Sequence, residues 1–318
     1  MQVVKIVEVL NALDLQKVDE SHTSAAFLDT FLAESSLDIP AKRTYGGQLL
    51  AQSLTAASLT TSEYRLPNSL HAYFILPGAL DKQILYTVER LRDGAAYSHR
   101  EVSVTQVDSA NRTRIISKTL VSFHEPEELD INFCAPAFPT APRPEAVPTF
   151  EEVFRGSATK SAWAKYFSSQ MPFEIRQASR SLFAGRDSKA LAGKRSPELV
   201  WFRVREKEAH LLDKNTHLKR QLLQRILLAF FCDQFAFAPA LRQSTLSWTI
   251  PGSAYASLDH GMWFHEDINL LDWNLFYGTS PNAADARGLG ISYIFNSAHK
   301  VVTTVVQEGM LRLNSSET

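Results

Sequence analysis

Twice along the 318-residue chain the same order of elements recurs: a helix, then four strand-like runs. In the first passage Gly46-Gly47-Gln48-Leu49-Leu50-Ala51-Gln52-Ser53-Leu54 through Ala57 reads as a small-residue helix, apolar enough to be buried on most sides. Runs over residues 70–76, 83–91, 98–106 and 115–123 follow, separated by Pro77-Gly78, Asp93-Gly94 and residues 108–111. In the second passage a helix over about 218–235 precedes runs near 254–264, 274–279, 288–296 and 300–312. This order predicts an α+β chain made of two copies of one unit, each an antiparallel sheet wrapped around a helix. Landmark residues can be matched between the copies: Ser69-Leu70 with Ser257-Leu258 (257 − 69 = 188), Arg100 with Arg287 (287 − 100 = 187) and Ser122 with Gln307 (307 − 122 = 185). A slow drift in offset is what small loop deletions produce.

Six of the fourteen prolines fall between Pro126 and Pro148, which marks a linker. Beyond it Thr149 and Glu152 have capping-box spacing, and Phe150, Val153, Phe154, Trp163, Tyr166 and Phe167 predict a bridging helix or two short ones. The expected division is therefore 1–125, a first repeat with a leading helix; 126–168, linker and bridging helix; and 169–318, a second repeat. At 45% hydrophobic and 21% charged, the chain has the apolar material for one large core or two ordinary ones. Lys+Arg 33 against Asp+Glu 34 leaves no net field to attract nucleic acid or an anionic membrane. Two cysteines, Cys134 and Cys232, fit a reducing compartment. Residues 1–19 mix charges with apolar residues at helical spacing, unlike a signal peptide. The longest apolar run, residues 226–232, has seven residues, where a spanning helix needs about 20. No membrane insertion is expected. The terminal Asn314-Ser315-Ser316-Glu317-Thr318 is not a Ser-Lys-Leu type of address, so the expected location is cytoplasmic.

Asp233 is the most informative single residue. Residues 226–232 before it are all apolar, and Phe235-Ala236-Phe237-Ala238 follow close behind. A carboxylate in such surroundings loses water, which raises its pKa and makes it a candidate general base. Taken alone, such an Asp is more often structural, set on the one polar stripe of a helix and facing solvent or holding a neighbouring backbone. The matching helix of the first passage has no Asp or Glu from Arg43 to Ser62, which points to one working site and one half kept for packing and for shaping a channel. Gln307, in the run Val305-Val306-Gln307-Glu308-Gly309-Met310, can both donate to and accept from a water or carbonyl, although a lone strand Gln usually faces solvent. Ser257, in Ala256-Ser257-Leu258-Asp259-His260, can orient the same water, or can bond local backbone.

Other chemistries find less support. No G-x-S-x-G nucleophile elbow occurs. His260 and His265, with Glu266 beside them, do not share one strand face, so packing or hydrogen bonding is their default. Gly288-Leu289-Gly290 is only a fragment of a dinucleotide fingerprint.

Gly46-Gly47-Gln48 with Gln52, Leu76-Pro77-Gly78, Leu91-Arg92-Asp93-Gly94, Leu258-Asp259-His260-Gly261-Met262-Trp263-Phe264-His265 and Val306-Gln307-Glu308-Gly309 resemble, in order and spacing, the signature stretches of the type II acyl-CoA thioesterases. The resemblance covers most of the chain. It implies a double hot-dog fold and hydrolysis of acyl-CoA to fatty acid and CoA with no metal or organic cofactor. It also implies association as a homodimer or homotetramer. The family's catalytic Asp falls on Asp233, its hydroxyl residue, often Thr, on Ser257, and its Gln on Gln307. A hot-dog hydratase or dehydratase, and a silent acyl-CoA binding module, are the alternative readings.

Overall fold

The computed structural model describes residues 14–18, 28–33, 37, 43–127, 133–150, 152, 166, 171–179, 196–212, 216–243 and 253–312. Its elements are β1 (Gln16–Lys17), β2 (Leu28–Ala33), α1 (Gly46–Ser58), β3 (Leu66–Phe74), β4 (Ile84–Asp93), β5 (Tyr97–Val107), β6 (Thr113–His124), β7 (Phe173–Gln177), β8 (Glu198–Val204), α2 (His217–Cys232), α3 (Ala238–Gln243), β9 (Ala254–Ser257), β10 (Asp259–Phe264), β11 (Asn274–Ala284), β12 (Arg287–Phe295) and β13 (Val301–Arg312).

All the strands join one sheet in the order β1-β2-β4-β5-β6-β3-β10-β13-β12-β11-β8-β7, with β9 also on β13. The order is palindromic: a strand, its hairpin and its outer neighbours run outward from the central β3·β10 pair, which is antiparallel through Leu70↔Met262. The register makes the repeat quantitative. Leu85↔Thr105 corresponds to Leu275↔Phe295, so 275 − 85 = 190 and 295 − 105 = 190. On the following strand Tyr97↔His124 corresponds to Arg287↔Met310, so 310 − 124 = 186. Both hairpins also break register at the matching place, Arg90/Arg92 and Thr279/Asn282.

These offsets correct the landmark matches. Gln307 corresponds to Val121, Ser257 to Pro67, and Arg100 to Gly290. Ser122 corresponds to Glu308, on the opposite face from Gln307, because one residue of slip along a strand turns a side chain to the other side.

The helices pack their apolar side chains into the core. Ten of the thirteen residues of α1 are buried, among them Leu50 and Leu54, and each such leucine contributes about 1.5–3 kcal/mol. On α2, residues 226–232 are buried together, and Phe231 stacks on Phe202 of β8 at 4.0 Å. The two helices touch where α1 begins: Tyr45 Oη donates to the Phe230 carbonyl at 2.8 Å and its ring meets Phe230 edge-on. A Cβ on Gly47 would lie 2.3 Å from that same carbonyl, so glycine is required for the approach.

Several expectations change in detail. Helix α2 ends at Cys232, earlier than the expected 235, so Asp233 is its C-cap. The run 254–264 breaks at Leu258 into β9 and β10, and β11 extends to Ala284. Strands β1, β2, β7 and β8 were not anticipated: all are short, and Leu199-Val200-Trp201-Phe202 in β8 lacks the alternation that flags a strand. Gln16–Lys17 is a strand where the leading helix was expected, while residues 1–13 lie outside the described residues. So do Val153, Phe154, Trp163 and Phe167 of the expected bridging helix. The capping box itself is present: Thr149 N–H donates to Glu152 Oε2 at 2.8 Å and Glu152 N–H to Thr149 Oγ1 at 3.2 Å. The proline-rich segment packs on the second half, with Trp201 Nε1 donating to the Pro142 carbonyl and Phe138 stacked on His299.

Candidate active site

Asp233 stands one residue past α2, where the chain enters the turn over residues 233–237. Its Oδ2 accepts the Gly47 N–H of the first turn of α1 at 2.9 Å. Its Oδ1 is closed to solvent and has no partner among the described residues. Burial raises this carboxyl to about 6, while the Gly47 N–H and the charge of Arg43 act in the other direction. Its position between two helix ends works the same way, since the end of α2 is negative and the start of α1 positive. A Cβ on Gly46 would lie 2.7 Å from Asp233 Oδ2, so this glycine leaves room for the carboxylate.

Two other glycines seat the turn that carries it. A Cβ on Gly290 of β12 would lie 2.1 Å from the Ala236 carbonyl, and one on Gly309 of β13 would lie 2.5 Å from the Phe237 ring. Glycine at these strand positions lets backbone lie directly on the sheet.

A cavity of about 320 Å³ opens beside Asp233. Its walls are residues 43–46 and Leu49, the strand end and loop over residues 74–78, and residues 256–258. Asp233 and Ser257 therefore face one space. Gln307 does not line it; fully buried on β13, it donates from Nε2 to Ser257 Oγ at 2.6 Å and accepts at Oε1 from His260 Nδ1 at 2.6 Å. Of the three expected side chains, two meet in the cavity and the third stands behind the second.

The cavity departs from expectation in its walls. The Phe- and Leu-rich second helix and its facing strands are where an acyl tunnel would be expected from sequence, but Phe230 and Phe231 are packed into the core. Most of the lining comes from the first half, through Tyr45, Leu49, Phe74 and Leu76. His260, for which packing or hydrogen bonding was the default, is buried and hydrogen-bonded to Gln307, a partner that sequence alone did not identify. Among the described residues no group of three or more His, Cys, Asp or Glu is arranged to hold a metal ion.

A sequence model of the acyl-CoA thioesterase N-terminal domain matches residues 36–124, and one of acyl-CoA thioesterase matches residues 189–310. The chain is 28% identical over 310 residues to acyl-CoA thioesterase 2 of Haemophilus influenzae, covering 96% of this chain and 97% of that one. The crystal structure of the acyl-CoA thioesterase II TesB2 from Mycobacterium marinum superposes with a TM-score of 0.69 at 27% identity, covering 96% of this chain and 99% of that one. A protein with a hot-dog fold from Alicyclobacillus acidocaldarius gives a TM-score of 0.66 at 15% identity, covering 96% and 98%, a likeness of fold alone.

Proposed function

The chain belongs to the type II acyl-CoA thioesterase family and hydrolyses acyl-CoA thioesters, and on that premise we propose that Asp233 activates the attacking water while Ser257, held by Gln307, aligns it. The single observation that carries the assignment is the shared cavity: a desolvated carboxylate and a hydroxyl, brought from 24 positions apart in the chain (257 − 233 = 24), line one pocket.

A thioester carbonyl gains little resonance from sulfur and its thiolate leaves readily, so one base and one aligned water suffice. Asp233 takes a proton as the water oxygen bonds to the carbonyl carbon. The tetrahedral intermediate then expels the CoA thiolate, and the proton on Asp233 returns to that sulfur. The products are fatty acid and CoA. The N-terminal turn of α1, which borders the cavity at Gly46, offers the positive end of a helix to the developing oxyanion. The acyl group packs against Tyr45, Leu49, Phe74 and Leu76.

We read the architecture as a double hot dog with repeats over 1–125 and 169–318, joined by 126–168; the palindromic strand order and the matching strand registers of the two halves support that reading. We assign association as a homodimer or homotetramer on the family resemblance alone, and a cytoplasmic location on the sparse cysteines, which fit a reducing compartment. Among the described residues no helix is long and apolar enough to cross a membrane.

Release of CoA thiol from acyl-CoAs of graded chain length, followed with a thiol reagent, tests the assignment. Thiol release that disappears in a folded Asp233→Asn variant supports it. Unchanged release by that variant rejects Asp233 as the base.

A further inference from the structure

One buried imidazole takes no part in the chemistry above. His260 lies on β10, is 1% exposed, and sits beside Gln307 on the neighbouring strand, next along from the Gly261↔Val306 pair. Its Nδ1 is 2.6 Å from Gln307 Oε1, and its Nε2 is buried with no partner among the described residues.

An amide oxygen accepts and never donates, so this contact places a proton on Nδ1. The remaining bonds then point one way. Gln307 Nε2 donates to Ser257 Oγ at 2.6 Å, and the serine, having accepted, turns its own hydrogen toward the cavity it lines. The opposite sense would begin with Ser257 donating to a turned-over amide and would put the imidazole proton on Nε2. That N–H would then be buried without an acceptor. A buried orphan N–H is rarer in proteins than a buried orphan lone pair, which favours the outward sense.

We propose that His260 is a positioning residue for the hydrolysis: its Nδ1–H fixes which way the Gln307 amide faces, and so commits the Ser257 hydroxyl to donate into the cavity. The proposal rests on the assignment of Ser257 and Gln307 to the reaction. Burial holds the imidazole down at about 4, so the ring stays neutral and keeps a single donor at neutral pH. The corresponding positions of the first half, Leu70, Val121 and Pro67, contain no side-chain donor or acceptor at all. The relay is a property of one half.

The test is a mutant cycle on acyl-CoA hydrolysis with His260→Leu, His260→Asn, Gln307→Val and the His260→Leu/Gln307→Val double variant, together with nitrogen NMR of the histidine rings in the unmodified protein. His260→Leu is expected to lower kcat about tenfold or more with KM within about twofold. His260→Asn, whose Nδ2–H falls near the imidazole Nδ1, is expected to recover most of that loss. In the Gln307→Val background His260→Leu adds nothing, because the partner it orients is gone. The ring spectrum shows His260 neutral with its proton on Nδ1.

Full kcat in a folded His260→Leu variant overturns the proposal. So do equal losses for Leu and Asn, additive losses in the double variant, or a proton on Nε2. Should His260→Leu fail to fold, the Asn variant and the ring spectrum still decide. A fully active Gln307→Val variant defeats the parent assignment, whereas an impaired Gln307→Val beside an unimpaired His260→Leu defeats only the role of His260.

Discussion

At register-equivalent positions the two halves of the sheet carry opposite chemistry. Pro67, Leu70 and Val121 in the first half stand where Ser257, His260 and Gln307 stand in the second. Arg100 in the first half stands where Gly290 stands in the second. Its guanidinium, 1% exposed, reaches Thr60 just past the end of α1 and the carboxylate of Asp93. In the second half the vacated volume is filled by main chain at Ala236, part of the turn that carries Asp233. A cation that fastens a helix end to the sheet in one copy is thus replaced, in the other, by the backbone of the turn that carries Asp233, the proposed base. The first half nevertheless supplies most of the cavity wall and the Gly47 N–H that holds Asp233. On the proposed assignment, one half provides the reactive groups and the other provides their surroundings.

The sharpest way to break this contrast is Asp233→Asn. Turnover is expected to fall about 10²-fold or more, read as CoA thiol release, while the fold survives. The same variant is expected to be the more stable protein at pH 8. A native carboxyl near 6 against an unfolded value of 3.8 binds its proton more tightly when folded, so its contribution to stability is complete below 3.8 and lost as pH rises through about 6. Above that pH the buried charge costs an amount on the order of 1–3 kcal/mol, which Asn avoids. A lower Tm for Asp233→Asn than for the wild type at pH 8 would contradict this account.

Gln307→Val makes the second half resemble the first. It is expected to lower kcat by about tenfold or more and to strand the His260 Nδ1–H at a cost of about 1–3 kcal/mol in chemical denaturation. Acidification gives a comparable loss without mutation: with Asp233 titrating at about 6, kcat/KM should be about tenfold below its plateau at pH 5. A flat profile from pH 5 to 8 would remove Asp233 from the role of base.

Ser257→Thr keeps the hydroxyl and should change kcat/KM by less than about threefold, or about 0.7 kcal/mol. A larger loss would mean that the cavity has no room for the extra methyl. Arg100→Met should leave kcat unchanged while lowering stability by about 1–3 kcal/mol, because Thr60 and Asp93 lose their donor. A collapse of kcat in that variant would show that the first half shares in the chemistry.

Much of this was legible in the chain. Helix α1, the four strands after it and the second meander fall within a few residues of where periodicity and turn residues put them. Asp233 announced itself by its apolar flanks, and the capping box at Thr149 and Glu152 is bonded as its spacing implies. Four short strands at the sheet ends left no such signature, since a strand as brief as Gln16–Lys17 has no period to detect. The repeat was visible but its alignment was not. Matching Ser122 to Gln307 was one residue out, an error that composition cannot expose and strand pairing exposes at once.

What the sequence determined by itself was local: which stretches bury which faces, where turns fall, and that one helix end carries an acid in apolar surroundings. These follow from side-chain type and spacing within a few residues. What only the tertiary structure decided was adjacency across the chain: that Gly47 holds Asp233, that residues 74–78 wall the cavity, and that His260, Gln307 and Ser257 are linked by hydrogen bonds. A hydrogen bond depends on distances of a few tenths of an ångström and on angle. Between residues nearly two hundred positions apart, that geometry is set by sheet register and helix packing together.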